Sequence, residues 1–290
     1  MKRLFILLLI VSLTTAGLYF MPSILSSLSS VTSDEGEESE LDFRYTILED
    51  GTLKIVSYSG KEKIFEMPSE LYGRTVSTLG EFAFYYSVPT VEVTVPDTIV
   101  HLDANPFLRC ENLTKITVSP THPTLTVIDN ALVGKDENVV ISYPRALNDV
   151  VIPEGISAIG NFAYSNCASL TEIAVPEGVS SIGNGAFYYC TNLADITIPD
   201  SVTKIGYEAF MECTSLTELV IPEGVTYIGR RAFYRCKSLH SVVIPDSVIS
   251  IGSNAFLNCY AVTLSVGQGS YAEEYAIEND IPYVYTGQAG

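Results

Sequence analysis

Between Val151 and Cys259 the chain says one phrase almost five times, from VIPEGISAIGNFAYSNCASLTEI to IPDSVISIGSNAFLNC. Its prolines fall at Pro153, Pro176, Pro199, Pro222 and Pro245, its cysteines at Cys167, Cys190, Cys213, Cys236 and Cys259, and both series step by 23 residues. A fixed period constrains a chain more than any composition does. Every copy must fold into the same unit, and a unit this short has no core unless its neighbours supply one.

The copy from Pro222 to Ile244 shows what each unit must do. Its inward set is Val225, Ile228, Ala232, Phe233, Cys236, Leu239, Val242 and Ile244. Val242 and Ile244 alternate about Val243, the pattern of a strand with one face buried. Ala232, Phe233 and Cys236 sit at the spacing of one helical turn. Pro-Glu-Gly reads as a type I turn, with Pro fixing the first central φ. Gly160, Gly183, Gly206, Gly229 and Gly252 stand where a positive φ would redirect the chain. Stacked about 4.8 Å apart, such coils share hydrogen bonds and line up equivalent side chains as Ala, Phe and Cys columns, with Tyr164 in the Phe column. A period in this range carrying L-x-x-I-x-I, as at Leu193 to Ile198, is a leucine-rich-repeat signature. The expected fold is therefore an α/β repeat solenoid: a curved leucine-rich-repeat rod with a parallel concave sheet, short strands and turns, and few short helices.

The phrase I-P-[DE]-[GS]-V-x-x-I-G-x-x-A-F-x-x-C-x-S-L resembles the BspA-like leucine-rich-repeat family over residues 44–285. That family comprises secreted or surface-exposed proteins, some of them adhesins for host matrix proteins or neighbouring cells. The resemblance implies an extracellular or cell-surface location and a protein ligand, with a glycan as a further possibility. Periodicity by itself implies neither.

In chain order, residues 1–25 join Met1-Lys2-Arg3 to an apolar run, read as a signal peptide or an uncleaved N-terminal membrane anchor. Membrane contact is expected through this segment only. Residues 26–42 are Ser-rich and then acidic, a disordered spacer by composition. Residues 43–67 place Glu49-Asp50-Gly51 between two alternating runs, a hairpin serving as N-terminal cap. The solenoid spans 68–266, with a degraded coil where Asp103 replaces the Gly and Pro106 the Ala, and an irregular hairpin coil at 119–152. After Cys259 the register changes, and residues 267–290 read as a C-terminal cap with a helix over 270–278 and a strand at Tyr283 to Tyr285.

Chemistry is hard to find in these residues. His101, His122 and His240 share no partner spacing, no nucleophile elbow, phosphate loop or dinucleotide motif occurs, and no motif calls for a metal or cofactor. A net charge of −18 opposes nucleic-acid binding, which needs a basic track. Enzymatic activity is not expected. The six cysteines have a core-column spacing, not a ligand spacing, and read as buried free thiols. Tyr85, Tyr86, Tyr164, Tyr188, Tyr189 and Tyr234 flank the turns beside Arg109, Arg230, Arg231 and Arg235, either as a sticky patch or as rings laid over the ends of the core.

Two columns flank the inward strand residues and should face outward from the concave sheet. One reads Glu172, Asp195, Glu218 and Ser241, the other Ala174, Thr197, Val220 and Val243. These eight residues are the candidate ligand surface, and their acidic ridge suits a basic or amphipathic protein. The acidic turn column Glu177, Asp200 and Glu223 should lie one coil edge away. Two functions remain open at this point: a binding module acting through the concave face, and a structural surface protein for display or self-association.

Overall fold

A computed structural model describes residues 42–287 other than Tyr86 and Val88. The expected leader or anchor, nearly all of the acidic spacer and the last three residues lie outside the described residues. No helix among the described residues is long and apolar enough to cross a membrane. Residues 37–290 form a compact unit by themselves.

The unit is a parallel β-solenoid. The strands expected on the concave side form ladders: Ile64–Glu66 with Glu92–Val95 and Lys115–Val118, Glu172–Ala174 with Asp195–Thr197, then Glu218–Val220 with Ser241–Ile244, Thr263–Val266 and Tyr283–Tyr285. Each pairs its inward residue with the equivalent one in the next coil, as Ile173 with Ile196 and Leu219 with Val242. The expected inward set of the Pro222 to Ile244 copy is buried without exception.

A second parallel ladder accompanies the first. Ala158–Ile159, Ser181–Ile182, Lys204–Ile205, Tyr227–Ile228 and Ser250–Ile251 pair in order, and the irregular coil extends the sheet with Leu125–Ile128, Ala131–Gly134 and Val139–Ser142. Asp129 and Asn130, both at positive φ, make the turn between the first two of these. The irregular coil thus carries three strands, the first two joined as a hairpin.

The segment read as a helical turn is not helical. Ala232 donates to the Gly229 carbonyl and Cys236 to that of Phe233, three residues back in each case, while Arg231 and Arg235 take φ of 56° and 60°. Between those turns, Arg231, Phe233 and Arg235 donate to the carbonyls of Ser253, Ala255 and Leu257 in the next coil. Turn bonds of this kind give the same apolar spacing as a helix, so the sequence pattern did not separate them. The described residues contain one helix, Tyr271–Glu278, whose N-cap Ser270 accepts from the Glu273 amide while the Glu273 carboxylate accepts from that of Gly269.

Two turn assignments are corrected with it. Positive φ lies two residues beyond the repeated glycine, at Phe162, Gly185, Glu208, Arg231 and Asn254, not at the glycine itself. The glycines are required by close approach: a Cβ on Gly206 would lie 2.6 Å from the Gly183 carbonyl carbon, and one on Gly229 2.5 Å from that of Gly206. In the Pro-x-Gly/Ser turn the proline carbonyl accepts from the residue three positions on, as Pro222 from Val225 at 3.0 Å, so Pro is the first turn residue and not a central one.

The columns stack as expected. Rings of Tyr164, Phe187, Phe210, Phe233 and Phe256 follow one another at 5.1–5.6 Å with planes within 18°. Tyr143, from the irregular coil, extends this stack at 5.2 Å from Tyr164, and Tyr58 packs 5.3 Å from Phe84. Residues from Leu53 onward therefore already build a coil, and the hairpin of Phe43–Ile47 and Leu53–Tyr58 caps it. All six cysteines are buried free thiols. Cys190, Cys213, Cys236 and Cys259 each donate to an aromatic residue's carbonyl in the preceding coil at 3.0–3.2 Å. At the C-terminal end Thr263–Val266 keeps the strand ladder, pairing Val242 with Leu264, one residue short of the period. The change of register expected after Cys259 is this one-residue step.

Candidate functional site

The strand ladder places the eight candidate residues where alternation put them. Glu172, Ala174, Asp195, Thr197, Glu218 and Val220 are exposed, Ser241 and Val243 are half-buried, and Ile173, Ile196, Leu219 and Val242 between them are in the core. Pairing sets Glu172 beside Asp195, Ala174 beside Thr197, Glu218 beside Ser241 and Val220 beside Val243. Val220 keeps 65% of its surface in water.

Two adjoining depressions run along this face. One, of about 420 Å³, is lined by Val150, Ile152, Glu172, Ala174, Asp195 and Thr197. The other, of about 700 Å³, takes in Asp195, Thr197, Glu218, Val220 and Val243, together with Asp200, Glu223 and Asp246. Asp200 and Glu223 therefore share the groove with the acidic ridge. These two members of the turn column do not stand apart from the candidate surface as expected, while Glu177 is in neither lining.

The charge on this face is uneven. Toward the N-terminus Lys115 pairs with Glu92 at 3.5 Å. Farther on, the described residues include no ion pair to Glu172 or Asp195, and Glu218 meets His240 Nε2 at 3.2 Å. His240 sits just before its strand, in a neighbouring coil. The sequence reading gave His240 no partner, although a separation of 22 residues is one short of the period that makes coils neighbours. Carboxylates at an exposed strand face attract cationic groups, and the exposed valine and threonine methyls between them offer apolar contact.

The turn face is a mixed case. Tyr164 is fully buried in the ring stack, its hydroxyl donating to the Val151 carbonyl at 3.0 Å, so it leaves the group of flanking tyrosines. Tyr86 lies outside the described residues. Arg109 stands 5.1 Å over the Tyr85 ring, and Arg231 and Arg235 flank Tyr234 at 5.6 and 5.1 Å. Both of the latter also pair with the coil before, Arg231 with Glu208 at 3.5 Å and Arg235 with the buried Glu212 at 2.9 Å. These side chains tie coil to coil, a use that covers the core ends and engages the arginines.

His122, given no role by the sequence, is fully buried in the irregular coil. Its Nδ1 accepts from the Thr124 and Leu125 amides at 3.3 and 3.1 Å, so Nε2 carries the proton and donates to the Pro96 carbonyl at 3.2 Å. Burial lowers its pKa, and nearby Lys135 adds to that, against the Pro96 bond and Asp97. This is a structural histidine. No cluster of three or more His, Cys, Asp or Glu suited to a metal ion occurs among the described residues.

The family description "BspA type Leucine rich repeat region" matches the chain in six copies, over residues 61–133 and 140–263. No curated protein matches it. Among solved structures it is similar to a leucine-rich cell surface protein of Faecalibacterium prausnitzii, at 22% identity and TM-score 0.51, covering 85% of this chain and 98% of that one. It is also similar to the pneumococcal vaccine antigen PcpA, at 13% identity and TM-score 0.59, covering 88% and 99%. A leucine-rich-repeat protein of Eubacterium ventriosum matches at 24% identity and TM-score 0.50, covering 70% of this chain but 48% of that one. At such identities the likeness is one of fold.

Proposed function

The chain belongs to the BspA-type leucine-rich-repeat family, and from that premise we propose that it is an exported binding module for a basic or amphipathic protein partner. The partner lies along the strand face, in the groove of Asp195, Asp200, Glu218, Glu223 and Asp246 and its continuation to Glu172. The carrying observation is that this groove gathers five carboxylates around exposed Thr197 and Val220 with no lysine or arginine in its lining. Carboxylates so arranged repel one another unless solvated or met by cations, so a lysine- or arginine-rich segment relieves repulsion as it binds. A sulfated or otherwise anionic glycan adds to that repulsion instead. Export is supported by Met1-Lys2-Arg3 with its apolar continuation, and by the likeness to a protein described as a cell surface protein.

The test is a binding screen of residues 37–290 against displayed peptide libraries spanning basic to acidic composition, extracellular matrix proteins and sulfated glycans. Saturable, salt-sensitive capture of lysine- or arginine-rich sequences is the expected result. Selective capture of acidic sequences or sulfated glycans would overturn the assignment.

A further inference from the structure

The strand-face ladder ends on an open edge at both ends of the unit. Among the described residues, Ile64–Glu66 pairs only with Glu92–Val95, and Tyr283–Tyr285 only with Thr263–Val266. Among the described residues, both caps cover the core and leave these edges uncovered.

The unused backbone groups at the two ends are complementary. In a parallel ladder the amide and carbonyl of successive residues point alternately to one neighbour and the other. The Lys63 carbonyl and Met67 amide bond toward the second coil, so the amides and carbonyls of Ile64 and Glu66 face away from it. The Pro282 carbonyl and Thr286 amide bond toward Thr263–Val266, so those of Tyr283 and Tyr285 face away. Setting Tyr283 beside Phe65 lets the Tyr283 amide reach the Ile64 carbonyl and the Glu66 amide reach the Tyr283 carbonyl. That same register keeps Phe65 and Tyr283, both packed against core, on the inner side of the continued sheet. A slip of one residue would lose both the bonds and the facing.

Side chains favour this joint over its alternatives. Exposed Lys61 and Lys63 precede the first edge, and the carboxylate of Glu62 between them takes the Tyr58 hydroxyl. Exposed Glu278 and Asp280 precede the last edge, at the end of a helix that holds no basic residue in its last turn. The register brings the two lysines alongside the 278–280 stretch. Two N-terminal edges, or two C-terminal edges, could meet only antiparallel about a two-fold axis, which brings no lysine beside the 278–280 carboxylates. Lysines beside a short strand commonly guard an edge against pairing; here the carboxylates of the opposite end meet them. Exposed Ile64, at 68%, comes to lie against Pro282.

We propose that the occupant of each open edge is a second copy of this chain, joined head to tail so that the strand ladder runs on from one molecule into the next. Such a contact is heterologous, so it leaves a free edge at each end of a pair and builds filaments or rings of more than two copies. It is independent of the groove on the strand face, whose residues take no part in the joint.

Sedimentation equilibrium on residues 37–290 tests it, with Lys61→Glu/Lys63→Glu and Glu278→Lys/Asp280→Lys as exposed, fold-preserving variants. The weight-average mass of the unaltered protein should rise with concentration past that of a dimer, more so at low salt. Each variant alone should lose species heavier than a monomer, and a one-to-one mixture of the two should regain them. A monomer at every concentration, a closed dimer, or association indifferent to both reversals would overturn the proposal. So would a monomer that instead takes up an added strand peptide.

Discussion

The rings of Phe210 and Phe233 lie 5.4 Å apart with their planes only 3° from parallel. Neither residue exposes any surface. They are neighbours because the period brings equivalent positions together, and each ring fills the space above the other. Removing one should therefore open a cavity inside a continuous column. Phe210→Ala should cost about 3–5 kcal/mol in chemical denaturation, the range for a buried aromatic. Tyr227→Ala, at a half-buried position beside Lys204, should cost far less.

The repeated glycines yield a second expectation. Gly206→Ala forces a methyl against backbone atoms of the neighbouring coil, which cannot swing aside, and should cost about 1–3 kcal/mol or more by overpacking. At Gly178, where φ is +90° and an added methyl would meet nothing within 4 Å, alanine should cost only the backbone strain of about 1 kcal/mol. A smaller loss at Gly206 than at Gly178 would mean that close coil contact is not what requires glycine.

The thiols should react in order. Burial pushes the Cys110 thiol up to about 12 and raises those of Cys190, Cys213 and Cys236 as well. Cys259 ends the column; its neighbour Cys236 lowers its pKa, and it keeps 7% exposure. Titration with a chromogenic disulfide at mild alkaline pH should modify Cys259 first and slowly, and denaturation without reductant should release all six thiols. Two or more disulfides by mass spectrometry would contradict this.

His122 makes stability depend on pH. Its folded pKa is depressed, so the unfolded chain takes up the proton first, near the ordinary value of about 6.5. Stability should hold above that pH and fall as pH drops below it, by at most about 1.4 kcal/mol per unit from this one group, until the folded value is passed. Denaturant titrations between neutral pH and mild acid should show that slope, and a His122→Gln variant should lack it. An unchanged slope in the variant would place the effect in other groups.

The inward columns were legible because the period is strict: Phe210, Cys213 and Leu216 recur at fixed intervals whatever bonds hold them. The second ladder was not, since a strand of two residues such as Ser181–Ile182 has no alternation to read. Left-handed backbone at Phe162, Glu208 and Arg231 was hidden for a related reason, as those residue types do not advertise positive φ. Tyr143 escaped because the irregular coil breaks the count. On the strand face, alternation identified Glu172, Asp195 and Glu218 as outward. That Asp200 and Glu223 share their groove depends on the depth of the turn, which no local pattern encodes.

The central claim is that the acidic strand face is the binding surface, and its most direct test is an affinity comparison at constant net charge. The strongest basic ligand from the screen is titrated into the Glu172→Gln/Asp195→Gln/Glu218→Gln variant and into Glu111→Gln/Asp136→Gln/Glu137→Gln, whose exposed carboxylates lie off the face. The account predicts at least about a tenfold loss for the first, some 1.4 kcal/mol, and little change for the second. Equal losses in the two variants, or a loss only in the second, would contradict it.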